Sequence, residues 1–295
     1  MSLLNTIQKS SIDDIKNVLS NDDYYCAFHI AVELGRLDVI EYLVSVGVDV
    51  SCDNDCAIRT ASKKGHLEII KYLISKGVNF KYDDLPITLA SEYGHLDIVK
   101  YLVSMGTDVT SKYNDAIQYA SQNNHLEIVK YLVSNGSKYK TDNYRAIRVA
   151  AQFGHLEIVK YFLELGCKEY RWCNDAIKWA SRNGHFEVVK LLMDKVTNIE
   201  KLEEGAIVYA AAFGHLNIVK YFILKGIAVK NIKNLPKIIN EFFEKGEFDV
   251  LIKIMDDYDI DNEHITETLT KIKKKRNNFV SNLQHINDIT VITNN

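Results

Sequence analysis

Residues 146–166 read AIRVAAQFGHLEIVKYFLELG, and this stretch contains the pattern that decides the fold. A short apolar segment ends at Gly154, and a longer apolar segment ends at Gly166. Glycine readily adopts the left-handed backbone conformation that terminates many helices, so the pattern predicts two helices joined by a tight turn. Apolar residues cover more of the second helix than one stripe, which predicts that this helix lies between neighbouring helices.

The same pattern recurs along the chain with a period of about 30 residues. Glycines equivalent to Gly154 are Gly35, Gly65, Gly94, Gly184, Gly214 and Gly246, and Asn124 holds that position once. An alanine four residues earlier recurs as Ala61, Ala90, Ala120, Ala150, Ala180 and Ala210. A fixed period of this length is typical of a solenoid, in which each repeat buries its apolar face only by stacking on its neighbours.

The recurrence also predicts how the chain is organised. About nine units are expected over residues 1–256, with residues 1–22 as an N-terminal cap and residues 235–256 as a degenerate C-terminal unit. Residues 263–276 are expected to form one closing helix. The polar residues 277–295 are expected to form a disordered tail, because their pattern offers little apolar surface to bury.

These residues resemble the ankyrin repeat through the Gly-His-Leu-Glu-Ile-Val-Lys-Tyr core, the preceding alanine and the closing glycine of each unit. The resemblance implies an all-α solenoid of helix-turn-helix units that binds other proteins and has no catalysis of its own. The period is shorter than the 33 residues of the family, which implies shortened loops rather than full β-hairpin fingers. The repeats look most like those of ankyrin proteins from giant DNA viruses of amoebae, which implies a host protein as the partner.

Positions that packing leaves free are the candidates for binding, and in the resembled family several of them face a concave groove. Aromatic and arginine side chains dominate the binding energy of many interfaces. The candidate partner-binding residues are therefore Tyr93, Tyr113, Tyr144, Arg148, Phe153, Arg171, Trp172, Lys178, Arg182 and Phe213. Trp179 and Tyr209 rank below them, because their position in the first helix can face inward. The alternative is that these aromatics only seal adjacent repeats.

Two rows of polar residues have a structural interpretation. Six histidines share one position, at His66, His95, His125, His155, His185 and His215. Helices that stack about 8 to 10 Å apart place successive histidines too far apart to share a zinc ion, so each is expected to bond to nearby backbone. In the second helices a lysine follows an acidic residue by three positions, as in Glu157 and Lys160, which predicts an exposed row of ion pairs.

Composition narrows the class of protein. The chain has 295 residues and a net charge of -3, which argues against binding to nucleic acid or membrane through bulk positive charge. No signal peptide or membrane span is expected, and the five cysteines have no paired spacing. We therefore expect an intracellular, cytoplasmic, monomeric protein that binds a protein partner without a cofactor.

Three alternatives remain open. A ubiquitin-ligase substrate adaptor would need a further module of about 40 residues, for which the repeats leave no obvious room. A nuclear regulator would use the basic cluster of Lys271, Lys273, Lys274, Lys275 and Arg276. That cluster also stands at the end of a predicted helix, where cations are favourable. An enzyme would need a convergent polar pocket and a catalytic motif, and the sequence has neither.

Overall fold

The computed structural model describes residues 3–80, 85–110, 115–166, 170–195, 205–227 and 235–247, together with residues 250 and 274. Within these ranges the chain is α-helical and contains no β-strand, which confirms the predicted all-α class. The chain divides into two compact units, Met1–Cys167 and Lys168–Asn295. The predicted closing helix and tail at residues 263–295 lie outside the described residues, except for the helical Lys274.

In the first unit the helices follow one another in pairs. The helices are α1 (Leu3–Lys9), α2 (Ile12–Val18), α3 (Tyr24–Leu34), α4 (Leu37–Ser45), α5 (Cys52–Lys64), α6 (Leu67–Ser75), α7 (Leu85–Tyr93), α8 (Leu96–Ser104), α9 (Asp115–Gln122), α10 (Leu126–Ser134), α11 (Thr141–Gln152) and α12 (Leu156–Glu164). A short 3₁₀ turn at Asn21–Asp23 precedes α3.

In the second unit the same order continues. The helices are α13 (Tyr170–Arg182), α14 (Phe186–Met193), α15 (Gly205–Ala212), α16 (Leu216–Leu224) and α17 (Leu235–Glu244). In both units the first helices of neighbouring repeats pack side by side, as α7 does against α9 and α13 against α15. The number of repeats and the limits of the two terminal units stay predictions.

Most first helices end where the sequence predicts, at a glycine with positive φ. Gly154 has φ 80°, and the backbone N–H of His155 donates to the carbonyl oxygen of Ala150 at 2.9 Å. This is the six-to-one bond of a Schellman turn, which satisfies a carbonyl that the helix end leaves open. Asn124 adopts the same conformation with φ 65°, and asparagine is one of the few other residues that tolerate it. The turn between the two helices is therefore specified locally.

The core lies between the helix layers. In α12, Ile158 and Val159 are 0% exposed and Phe162 is 1% exposed, whereas Tyr161 is only half-buried. Burial raises the pKa of the Tyr161 hydroxyl, because desolvation disfavours the phenolate. Ala150 is 0% exposed in α11, and its small side chain permits the close approach of first helices that the sequence predicted. Each repeat thus buries its apolar residues against its neighbours.

The links between repeats are short, as expected. Residues 46–51 join α4 to α5, and residues 135–140 join α10 to α11. The following helices begin early, so that residues expected in a loop form an extra turn of helix instead. The backbone of Arg171 and Trp172 lies in α13 and not in a loop, which corrects the prediction for these two residues. Their side chains lie outside the described residues.

The histidine row joins neighbouring repeats within each compact unit. The ring nitrogen Nε2 of five of these histidines donates to a carbonyl oxygen near the end of the preceding first helix. The pairs are His66 with Glu33 at 3.2 Å, His95 with Lys63 at 3.0 Å, His125 with Glu92 at 3.0 Å, His155 with Gln122 at 2.7 Å and His215 with Arg182 at 2.9 Å. The predicted bond to backbone is confirmed, and its partner belongs to the neighbouring repeat.

Arg36 takes the histidine position in the repeat of α3 and α4. Its Nη1 donates to the carbonyl oxygen of Ile7 in α1 at 2.6 Å and to that of Ser10, just after α1, at 3.2 Å. Its Nε and Nη2 donate to the two carboxylate oxygens of Asp38 at 2.9 and 2.7 Å. Those hydrogen bonds lower the pKa of Asp38. A longer cationic side chain therefore makes the same connection to the N-terminal helices that histidine makes elsewhere.

The crowding at these turns leads to a prediction about glycine. A Cβ added at Gly94 (φ 86°) would lie 2.6 Å from Cε1 of His125, whereas at Gly77 (φ 93°) it would meet nothing within 4 Å. Gly77→Ala should therefore cost only the left-handed conformation, about 1 to 2 kcal/mol. Gly94→Ala should cost about 1 kcal/mol more, because His125 must move away from its carbonyl partner. Urea denaturation of the two variants measures the difference.

A third variant separates conformation from crowding. Asn124 has a Cβ in the same position, yet His155 keeps its 2.7 Å bond to Gln122. Gly94→Asn should therefore be milder than Gly94→Ala, because asparagine tolerates positive φ. Equal losses for Gly94→Ala and Gly77→Ala would show that the histidine contact contributes nothing to the choice of glycine.

Candidate partner-binding surface

Exposed aromatic side chains concentrate at two positions of the repeat. The pre-glycine position directly precedes the glycine that ends the first helix, and the pre-alanine position directly precedes the buried alanine of that helix. Pre-glycine aromatics are Tyr93, Phe153 and Phe213, with 45, 44 and 52% exposure, and pre-alanine aromatics are Tyr119, Trp179 and Tyr209, with 37, 36 and 42%. Among the described residues, one further aromatic is as exposed, Tyr25 in α3.

Each pre-glycine ring rests on a neighbour while its other surface stays open. Nζ of Lys63 lies 5.2 Å from the ring centroid of Tyr93 in the next repeat. The guanidinium of Arg182 lies 5.0 Å from the ring centroid of Phe213, again in the next repeat. Phe153 stacks on His155 at a centroid distance of 6.3 Å. Tyr93 and Phe213 therefore contribute to the contact between neighbouring repeats, and all three rings are also accessible to a partner.

Charges near Tyr93 are partly neutralised within the first unit. Nζ of Lys64 forms a 2.9 Å ion pair with Glu33, and the hydrogen bond from Lys64 lowers the pKa of that carboxyl. Lys63 makes no ion pair within the part of the chain that the structure describes, and its ammonium lies over the Tyr93 ring instead. A cation on an aromatic face therefore marks this surface in the first unit.

In the second unit Arg182 lies between two aromatic rings. Its guanidinium carbon is 5.2 Å from the ring centroid of Trp179, one turn earlier in α13, and 5.0 Å from that of Phe213 after α15. The backbone carbonyl of Arg182 accepts the bond from His215, which fixes the residue between the two repeats. The structure thus brings together Arg182 and Phe213, both of which were predicted from the sequence.

Trp179 and Tyr209 lie on the exposed surface, so the expectation that their position can face inward is wrong for these two residues. Their position directly precedes Ala180 and Ala210, which are 0% exposed, so the inward face begins one residue later. Adjacent helix positions differ by about 100°, and that rotation separates the two environments. The sequence carried a usable signal, since the pre-alanine position varies from Thr60 to Trp179 while the alanine itself recurs.

Tyr144 is not available to a partner. It was predicted as an exposed loop residue, but it is 8% exposed and lies in α11 with φ 57°. Left-handed backbone costs a bulky residue about 1 to 2 kcal/mol, whereas burying an aromatic side chain stabilises by about 1.5 to 3 kcal/mol. The free energy gained by burial therefore exceeds the cost of the left-handed backbone, and Tyr144 belongs to the core of the repeat.

The remaining candidates divide into two groups. Arg148 and Lys178 are half-buried in their first helices. A Cβ added at Gly205 would lie 2.7 Å from Cε of Lys178, so the stem of this lysine packs on the start of α15. Tyr113 and the side chains of Arg171 and Trp172 lie outside the described residues. The basic cluster at residues 271–276 is described only at Lys274, which is exposed.

The second helices carry the predicted row of ion pairs in part. Lysine pairs with the acidic residue three positions earlier at Glu68–Lys71 (2.7 Å), Glu127–Lys130 (2.8 Å) and Glu157–Lys160 (2.6 Å). Lys100 instead places its Nζ 5.9 Å from the ring centroid of Tyr131, and Asp97 accepts from the backbone N–H of Ile98. These exposed groups are engaged with one another and with the backbone.

Within the described residues no group of three or more histidine, cysteine, aspartate or glutamate side chains is placed to hold a metal ion. Cys26, Cys56 and Cys173 are free thiols. No helix in the described ranges is long and apolar enough to cross a membrane.

Comparison with known proteins agrees with the helix-turn-helix fold. The family model described as "Ankyrin repeats (3 copies)" matches residues 28–113, 87–171 and 149–234. Among solved structures, the chain is similar to the crystal structure of the human ASB11 ankyrin repeat domain, with 23% sequence identity and a TM-score of 0.53 over 59% of this chain and 85% of that chain. At this identity the likeness concerns the fold. No curated protein matches the chain.

Proposed function

Because this chain belongs to the ankyrin-repeat family, whose repeats generally mediate protein–protein interaction, we propose that it is a non-catalytic scaffold that binds a partner protein through its pre-glycine and pre-alanine side chains. The central residues are Tyr93, Tyr119 and Phe153 in the first unit and Trp179, Arg182, Tyr209 and Phe213 in the second. In this proposal each set of side chains lines the groove of its own unit, and the partner is held there.

The observation that carries the proposal is the distribution of exposed aromatics. Six of the seven that the described residues expose lie at these two positions. A large ring that is left in water forgoes about 25 cal/mol for each Å² of apolar surface that it could bury. Scattered exposed rings are ordinary, but a recurring row of them favours a binding surface.

The setting of the interaction is also proposed. The resemblance of the repeats to those of giant amoebal viruses supports a host protein as the partner, inside the host cell. A monomeric scaffold in the cytoplasm fits that role. No specific feature of the described residues favours a ubiquitin-ligase adaptor or a nuclear regulator.

The test compares rings at the proposed surface with an exposed ring elsewhere. Phe153→Ala and Phe213→Ala should each weaken binding to a captured partner by about 2 kcal/mol or more, the scale of an interface hot spot. Tyr25→Ala is the matched control, because Tyr25 is 51% exposed but lies outside both positions. Affinity capture from cell extract identifies the partner, and titration with the purified partner gives the affinities of the three variants.

Melting curves separate lost binding from lost folding. Binding that survives both phenylalanine substitutions, or that Tyr25→Ala weakens equally, would show that the partner does not use this surface. A variant with a lowered melting temperature that binds normally while folded would show that its ring packs between repeats and does not contact the partner.

A further inference from the structure

We propose that the Arg182 cluster, defined as Trp179, Arg182, Tyr209 and Phe213, binds a segment of the partner that carries an acidic residue between apolar residues. Arg182 contacts the carboxylate, and the three rings contact the apolar neighbours. This inference rests on the proposed function and adds the chemistry of the segment that the second unit recognises.

The charge of Arg182 carries the first part of the argument. Its side chain is half-buried, and within the described residues its guanidinium has ring contacts with Trp179 and Phe213 and forms no ion pair with a carboxylate. A guanidinium is a cationic donor and cannot accept a hydrogen bond. A partly desolvated cation without a counter-ion is complementary to an anion. Its planar donors match a carboxylate, which can accept two parallel hydrogen bonds.

The two rings hold this cation in place before any partner arrives. A guanidinium between two aromatic rings loses rotamer freedom in the free protein, so less entropy remains to be lost on binding. The bond from His215 to the Arg182 carbonyl fixes the backbone at the same residue. The cluster is therefore a pre-formed cationic site and not a flexible surface arginine.

The exposed rings specify what flanks the carboxylate. Phe213 is 52% exposed, Tyr209 42% and Trp179 36%, and they stand on or directly after α13 and α15, which pack side by side. Aromatic side chains offer large contact areas at a low cost in conformational entropy. Apolar residues on either side of the acidic residue would cover these rings, so the complementary segment is both acidic and apolar.

A nucleic acid is a poorer match for the same cluster. Binding to a phosphate backbone draws its strength from several cationic contacts, and the cluster holds one arginine in a chain of net charge -3. The nearby Lys178 packs its stem on the start of α15. One positioned cation among apolar rings fits a single carboxylate in a protein segment.

The first unit supplies an internal control. Lys63 and Tyr93 hold the positions of Arg182 and Phe213, and again the cation lies over the ring of the next repeat, at 5.2 Å. The residue equivalent to Trp179 is Thr60, so no second ring holds the cation. Lysine also presents a point charge and not a planar fork. Lys63 should therefore contribute much less to carboxylate recognition.

The experiment selects peptides on the full-length chain from a phage-displayed library of random dodecapeptides. Selected peptides are synthesised with each Asp or Glu in its original form and as Asn or Gln. Their affinities are measured by fluorescence anisotropy of the labelled peptides, which leaves every side chain of the protein unchanged except the one substituted. The variants are Arg182→Gln, Arg182→Lys and, as the matched control, Lys63→Gln.

We expect selected peptides to contain an acidic residue next to apolar ones. Neutralising that residue and Arg182→Gln should each weaken binding about tenfold or more, and the two changes together should add little. Arg182→Lys should fall between, and Lys63→Gln should bind within about twofold of the parent. If Arg182→Gln lowers the melting temperature, the peptide substitution and Arg182→Lys still test the charge.

Several results would overturn the inference. They are a selection that yields no peptide, peptides without acidic residues, full affinity in Arg182→Gln, or stronger Arg182-dependent binding to a single-stranded oligonucleotide. The proposed function has its own test. If a captured partner loses affinity in Phe213→Ala but not in Arg182→Gln, this inference alone is wrong. If its affinity is unchanged in both Phe153→Ala and Phe213→Ala, the proposed function is wrong.

Discussion

Replacing Phe162 by alanine should lower the free energy of unfolding by about 3 to 5 kcal/mol. The Phe162 side chain is 1% exposed in α12, and its ring lies 5.7 Å from that of Tyr139 and 6.0 Å from that of Tyr161, measured between centroids. Truncation removes the transfer free energy of the ring and leaves a cavity that the neighbouring helices α10 and α11 cannot fully close. Urea denaturation, followed by circular dichroism, measures the loss.

Phe153→Ala is the matched control for this result. The two residues are of the same type and lie nine positions apart in one repeat, but Phe153 is 44% exposed. Its truncation should cost under about 1 kcal/mol, since little buried surface is lost. If both variants unfolded at the same urea concentration, the assignment of Phe153 to an open surface and Phe162 to the core would be wrong.

Ala150→Phe should destabilise by about 3 kcal/mol through overpacking. Ala150 is 0% exposed in α11, which packs against α9. A phenyl ring at this position must push the first helices apart or take a strained rotamer. Thermal and urea denaturation report the total loss, and amide hydrogen exchange should show the greatest loss of protection in α9 and α11.

Lys160→Ala provides the contrasting outcome in the same repeat. Lys160 forms a 2.6 Å ion pair with Glu157, but both side chains are largely exposed. Such pairs contribute little in water, so the expected cost is under about 0.5 kcal/mol. A loss for Lys160→Ala as large as that for Ala150→Phe would contradict the assignment of the packed and solvated faces.

The fold could be predicted because its determinants are local and repeated. Gly154 and its equivalents require positive φ, Ala150 and its equivalents require close packing, and the histidine row requires a backbone acceptor. Each is a steric or hydrogen-bonding constraint that one residue type satisfies best. Six or more occurrences in register turned weak individual signals into a strong pattern.

The surface was predictable only in part, because it depends on where each helix begins and how it is rotated. Tyr144 and Trp172 look like loop residues when the first helix is expected to start near the alanine. The structure begins α11 and α13 earlier, which places both in helices. Trp179 lies one residue before a fully buried alanine, and a large apolar side chain suggests the inward face unless the variation of its position between repeats is weighed against it.

The histidine bonds give the chain a direction. In every described case the donor belongs to the later repeat and the acceptor to the earlier one. A growing polypeptide at the ribosome therefore exposes each acceptor before its donor has been synthesised, so a nascent repeat gains this bond only when its successor emerges. The two kinds of truncation also differ. Removing C-terminal repeats leaves a backbone carbonyl without its histidine, and water can hydrogen-bond to that carbonyl at little cost. Removing N-terminal repeats leaves a histidine ring without its backbone acceptor.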